Sequence, residues 1–320
     1  MKTLRKPGRL ALIASLVVAL AGAWTGATFS AFTSTQGSSG NIVTAAPDWK
    51  GPAVTGGVGD GARPLGVIRE GTNVYVYANV TDSGNPASGV ASVTSSVTVA
   101  GYGTISLPLA AGSWTVRGQT YNYRSAAQAI PLPFPEQTLS VDITATDNAG
   151  NTTNTPLTVV VDNTAPTATN IQTANGSTIA GRAQQNDTVT YTFSETMDPD
   201  SFLAGWSGAA QNVTVRLVNG GAGNDSLQIW NAANTAQLPF GSVNLGRTDY
   251  TGGNVNFTGS SMLRTGSAIT VTLGTPSGAT TTAGGSGTMQ WTPTTAPDDL
   301  AGNALSGVPR TETGTADREF

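Results

Sequence analysis

The chain has 320 residues and a formal net charge of −4, with 40 glycines, 17 prolines, hydrophobic residues at only 38%, and neither cysteine nor histidine. The missing cysteines exclude disulfide staples, and the two absences together remove the ligands of most zinc, copper and iron sites. They also exclude nucleophilic catalysis by a Ser-His or Cys-His couple.

Residues 1–31 read as a signal peptide: a basic start (Lys2, Arg5, Lys6, Arg9), an apolar run from Leu10 to Ala23, then small residues. The apolar run is short of the roughly 20 residues of a membrane span. An uncleaved segment extended by Trp24 to Ala31 would instead be a tether, so contact with a membrane is expected only through this leader. Beyond it stand eleven basic against nineteen acidic residues, a net charge of −8. An acidic body with scattered arginines argues against nucleic acid as a partner and favours a secreted or cell-surface location.

The segment Ala27 to Asn41, ATFSAFTSTQGSSGN, resembles the leaders of TasA/camelysin-type bacterial surface proteins, which SipW-like signal peptidases process. The resemblance implies a Gram-positive exported surface or matrix protein. Residues 32–65 form an extended lead-in, rich in Gly and Pro from Ala46 on, whose few apolar residues could pair as an edge strand.

A first domain is expected over residues 66–163. Asn73 to Thr81 alternates, with Val74, Val76, Ala78 and Val80 on a core face and Tyr75 and Tyr77 on the other. After the turn signal Asp82-Ser-Gly-Asn-Pro86, further β runs fall at Val90 to Val99, Thr104 to Leu109, Ser113 to Arg117 and Tyr121 to Arg124. Without a cysteine pair the core must rest on aliphatics, Trp114 and the tyrosines. The domain closes on a hairpin, Leu139/Val141/Ile143 against Leu157/Val159/Val161, about the turn Asp147-Asn-Ala-Gly-Asn151. Asp162-Asn-Thr-Ala-Pro166 then ends the last strand, because proline cannot donate to the next ladder rung. Through Ser88-Gly-Val-Ala-Ser-Val93, Thr144 to Thr152 and Val161 to Pro166, this region resembles the bacterial immunoglobulin-like modules of exported surface proteins.

A second domain is expected over residues 164–320. Val189, Tyr191 and Phe193 share a strand face that runs into Ser194-Glu-Thr-Met-Asp-Pro199, and a second Asp-x-Ala-Gly-Asn turn lies at Asp299 to Asn303. These two motifs resemble the signature of SbsA-type immunoglobulin-like domains of surface-layer proteins. Between them, an insertion near residues 219–261 exceeds a minimal sandwich and holds strand candidates at Ser226 to Trp230, Ser242 to Leu245 and Asn254 to Thr258. Ile269 to Leu273 and Thr288 to Trp291 return to the sandwich. The fold class is therefore all-β: two tandem immunoglobulin-like β-sandwiches, the second enlarged.

Three constellations carry candidate chemistry. Asp147, Asp162 and Asp299 offer oxygens to calcium, and Asx-turn bonding accounts for the same residues without an ion. Glu195, Asp198 and Asp200 gather carboxylates on one strand-to-turn segment, where they can share a face but cannot flank a glycosidic bond. Trp206, Trp230, Trp291 and Tyr250 could form a sugar-stacking face or a core, with Trp230 and Tyr250 in the insertion as the exposed pair. No catalytic, cofactor or metal residue is assigned. The function expected is that of a non-enzymatic, structural or adhesive surface module, with a carbohydrate-binding module as the alternative. Its partners would be envelope or matrix components, polysaccharide, or further copies of itself.

Overall fold

The computed structural model describes residues 48–320, so the leader and the first part of the lead-in lie outside the described residues. The chain is all-β, and its strands gather into a nine-stranded and a ten-stranded sheet. The first is built from β1 (Ala53–Gly59), β2 (Val67–Ile68), β3 (Asn73–Thr81), β4 (Val90–Val99), β5 (Gly103–Val116), β6 (Gln119–Ser125), β7 (Gln128–Ala129), β8 (Gln137–Asp147) and β9 (Thr152–Val161). Their order is β1-β3-β6-β5-β4-β8-β9-β2, with β7 beside β3.

One continuous strand, β5, replaces the two runs expected over Thr104 to Arg117. Its first half pairs with β4 up to Pro108, and its second half pairs with β6 from Leu109, with a register shift between Ala111 and Trp114. A strand that changes partner at a bend carries a sheet from one layer to the next. The two ends of the sheet approach each other: β1 in the lead-in pairs with β3 along its whole length, while β2 runs parallel to β9.

The valine face of β3 is buried as its alternation predicts, but so is Tyr77, which is only 2% exposed. The cause is the Asp60-to-Leu65 segment. It covers the second face so closely that a Cβ on Gly61 would lie 2.8 Å from the Tyr77 hydroxyl. Trp114, expected in the core, is only half-buried and lies beneath the Arg124 guanidinium, 4.9 Å from its ring centre. The first core is accordingly aliphatic. It leaves an apolar cavity of about 200 Å³ bordered by Val74, Val97, Ile105, Tyr102 and Phe134.

The second sheet comprises β10 (Ala168–Ala174), β11 (Thr188–Phe193), β12 (Gln211–Val218), β13 (Ser226–Asn231), β14 (Ser242–Asn244), β15 (Val255–Thr265), β16 (Ala268–Thr272), β17 (Thr275–Pro276), β18 (Gln290–Thr292) and β19 (Arg310–Thr311). The order is β10-β11-β16-β15-β12-β13-β14-β18-β19, with β17 beside β15. The segment expected as an appended insertion is thus interior: β13, β14 and the start of β15 stand between strands of the sheet proper.

A buried aspartate makes this glycine-rich stretch orderly. Asp225 Oδ1 accepts the Gly220 N–H at 3.0 Å, and its Oδ2 accepts those of Tyr250 and Thr251 at 2.9 and 3.2 Å. The two ends of the second sheet meet through side chains. Arg310 Nε donates to the Thr169 carbonyl at 2.6 Å, Gln172 Nε2 to that of Thr313 at 2.8 Å, and Thr313 N to Asn170 Oδ1 at 2.9 Å.

The second core is aromatic. The Tyr191 and Phe193 rings meet Trp291 edge-on at 5.0 and 5.2 Å, and Phe202 lies 4.6 Å from Phe240. The Trp291 indole N–H is satisfied by the Phe240 carbonyl at 2.6 Å, which is what allows so large a polar-tipped ring to be fully buried.

Candidate functional site

The two Asp-x-Ala-Gly-Asn turns are built alike. Asp147 Oδ1 accepts the N–H groups of Ala149 and Asn151 at 2.9 and 2.8 Å, and its Oδ2 accepts Asn151 Nδ2 at 2.8 Å. Asp299 Oδ1 accepts those of Ala301, Gly302 and Asn303 at 2.8, 2.6 and 2.9 Å, and its Oδ2 accepts Asn303 Nδ2 at 2.9 Å. Both turn aspartates are therefore fully employed by Asx-turn bonding, with the φ > 0 glycine (Gly150 at 91°, Gly302 at 93°) reversing the chain.

Each turn asparagine also reaches backwards. Asn151 Nδ2 donates to the Asp48 carbonyl at 2.8 Å, and Asn303 Nδ2 to that of Asp162 at 3.0 Å. Asp48 and Asp162 each stand four residues before a buried proline, Pro52 and Pro166. The pattern Asp-x-x-x-Pro, repeated at the start of each unit, is the sequence signal that would have paired these two aspartates.

The repetition brings together two trios of carboxylates, Asp48/Asp82/Asp147 and Asp162/Glu195/Asp299, with oxygens in each within 4.8 Å of one another. Oxygen clusters of this kind suit hard cations such as calcium. The first trio is quenched by backbone donors: Lys50 and Ser88 N–H on Asp48, Gly84 and Gly89 N–H on Asp82. Burial pushes Asp147 up, but the Asn151 and Ala149 donors outweigh it and hold the carboxyl below its usual range.

In the second trio burial prevails. Asp299 is raised by desolvation, and Glu195 is raised to about 7, first by burial and then by the Asp162 charge beside it. Glu195 has no donor of its own among the described residues, and its carboxylate lies beside that of Asp162. Two of the three aspartates proposed from sequence for calcium thus do meet, with Glu195 as the third member, whereas Asp147 belongs to the other unit.

Of Glu195, Asp198 and Asp200, the last two share a face at Arg117, whereas Glu195 joins Asp162 and Asp299. Asp198 caps a single 3-10 turn, Pro199–Ser201, by accepting the Asp200 N–H at 3.2 Å, and its buried carboxylate pairs with Arg117. Arg117 also reaches Asp200 at 3.2 Å and donates through Nε to the Ala62 carbonyl at 2.7 Å. Beside it, Arg63 bridges Asp60 at 2.6 Å and Asp298 at 2.5 Å. Two arginines of the first unit are thereby locked onto three aspartates of the second, and the Pro166 carbonyl accepts the Ser306 N–H at 2.8 Å across the same joint.

The sugar-stacking set is also dispersed. Trp206, Trp291 and Tyr250 are core residues, Tyr250 fully so, because Asp225 draws its loop inward. Trp230 alone of the four is half-exposed, and the Arg216 guanidinium covers its ring at 3.3 Å. No family model and no curated protein matches the chain. Among solved structures, dimeric latent PorU from Porphyromonas gingivalis is similar at 12% identity over 84% of this chain, with a TM-score of 0.21, and the match spans only 24% of that chain.

Gly302 and Gly150 separate turn geometry from docking. A Cβ at Gly302 would sit 2.5 Å from the Arg63 guanidinium carbon, whereas at Gly150 it meets nothing within 4 Å. Gly150→Ala should cost only the positive-φ strain of about 1–2 kcal/mol in denaturant melts, and Gly302→Ala distinctly more, because Arg63 must also move.

Glu195 gives a pH dependence of definite sign. Between the ordinary value of 4.5 and about 7 the folded protein holds a proton that the unfolded chain has released. Its contribution to stability is complete below 4.5 and is lost as pH rises through 7. Melts in chelator from pH 4 to 8 should show a shallower decline in Glu195→Gln than in the wild type.

Proposed function

We propose that this chain is a non-enzymatic exported surface or matrix protein in which two tandem immunoglobulin-like sandwiches, the second enlarged, act as a stiff structural or adhesive spacer. The observation that carries this reading is the joint between the two sheets. A flexible linker would leave Asp162 to Pro166 free. Instead the Asn303 amide and the Ser306 N–H hold that segment to the second unit. Arg63 and Arg117 then fasten the far side of the joint to Asp298, Asp198 and Asp200.

Pairs of this kind matter more for geometry than for net stability. The Asp198 side chain is only 3% exposed, so its partner cannot leave without stranding a buried carboxylate. Such a joint transmits orientation from one unit to the next, as a spacer must. The nearly closed sheets also favour a spacer over growth by strand addition, because edges that face each other leave little room for another chain.

The test is twofold. In solution scattering, the wild type should fit one rigid particle, and the double variant Arg63→Ala/Arg117→Ala should broaden into an ensemble. Arg117→Ala alone should cost about 1–3 kcal/mol through the unpaired Asp198. In the producing cell, the protein should fractionate with the envelope or its matrix; a freely diffusing monomer in the medium would overturn the surface reading.

A further inference from the structure

A third cluster of carboxylates, Glu312, Asp317 and Glu319, differs from the two at the Asp-x-Ala-Gly-Asn turns in one decisive respect. Its oxygens also lie within 4.8 Å of one another, but Glu319, only 1% exposed, has a buried Oε1 with no hydrogen-bond partner. None of the ion pairs among the described residues includes any of the three. A buried carboxyl oxygen left without a partner is expensive, and native structures rarely keep one without a reason.

The remaining contacts hold the cluster in place without quenching it. Glu312 Oε1 accepts the Met289 N–H at 2.8 Å, and Glu319 Oε2 accepts the Thr173 hydroxyl at 2.6 Å. The backbone of the segment is pinned at three further points. The Asp317 carbonyl takes the Gly287 N–H at 2.7 Å, Glu319 N–H donates to the Tyr250 hydroxyl at 2.8 Å, and Phe320 N–H donates to Thr173 Oγ1 at 3.0 Å. The cluster therefore has one buried wall, Glu319, one half-buried wall, Glu312, and one wall open to solvent, Asp317.

We infer that Glu312, Asp317 and Glu319 form a binding site for a hard divalent cation of the calcium type, which clamps the 312–320 segment onto β10 and β18. A cation would supply the missing partner of Glu319 Oε1 and the counter-charge that no side chain among the described residues provides. Three carboxylates with water on the open side match the oxygen-rich, irregular shell of calcium better than the strict octahedron of magnesium, which keeps most of its waters.

The test uses the full chain, with calcium or terbium as the probe. Saturating calcium over chelator should raise Tm by roughly 5 °C, and terbium should luminesce on tyrosine excitation through the adjacent Tyr250. Both responses should vanish in Glu319→Gln and in the more exposed Glu312→Gln, and survive in Glu195→Gln and Asp82→Asn, which alter the other two clusters. In chelator, Glu319→Gln should melt no lower than the wild type, since the neutral amide relieves the crowding of three carboxylates around a buried, unpartnered oxygen. If Glu319→Gln fails to fold, Glu312→Gln decides alone. No calcium response in the wild type, or one that persists in Glu312→Gln, overturns the site.

Discussion

Each unit depends on one buried aspartate that gathers the N–H groups of its own turn and on the asparagine that follows it. Asp147 and Asp299 fix the turn, while Asn151 and Asn303 carry that order to the carbonyl of the residue that opens the unit. A chain with no cysteine has no disulfide to join the first residues of a domain to its last hairpin. Here a side-chain amide does so, and it does so in a low-dielectric setting where an unmade bond would be costly. In the second unit the same asparagine bonds across the joint, so the device that closes a sheet also orients one sheet on the next.

Arginine placement follows from this arrangement. Once Asn303 has drawn Asp162 against the second sheet, Asp298 and Asp198 face the first, and Arg63 and Arg117 meet them. Gly302 has to be glycine twice over, for its positive φ and for the guanidinium that lies against it. The aromatic core of the second unit sits just behind, with Met197 bridging to Asp299 and the 3-10 turn placing Phe202 against Phe240. The joint is thus continuous with packed structure rather than attached to a loose loop.

Local chemistry was legible in the sequence, and long-range partnership was not. The alternation in Asn73 to Thr81 and the hairpin about Asp147 are written within a few residues, and the pairing of Thr146 with Thr152 follows from the turn. The strand β10, with its mixed polar residues, has no comparable period. In contrast β12 does alternate, Val213, Val215 and Leu217 being buried with Thr214 and Arg216 between them, so its strand was legible although not among the expected ones. Arg63 and Asp298 are 235 residues apart, so the arginines read only as scattered charges. Nearness held for Asp198 and Asp200, which the 3-10 turn faces toward Arg117, and misled for Glu195, which the strand end directs toward Asp162. Tyr250 looked exposed because its neighbours are loop residues, and only the buried Asp225, distant in sequence, reveals why the loop turns inward.

The two cores also differ in what lines their hollows. The second core is built of interlocked rings, whereas the aliphatic first core borders an apolar hollow of about 200 Å³. Hydrostatic pressure acts on such voids, because unfolding removes them and shrinks the system. Compression would therefore bear on the apolar hollow beneath Tyr102 and Phe134, where aliphatic side chains can close in without breaking a hydrogen bond.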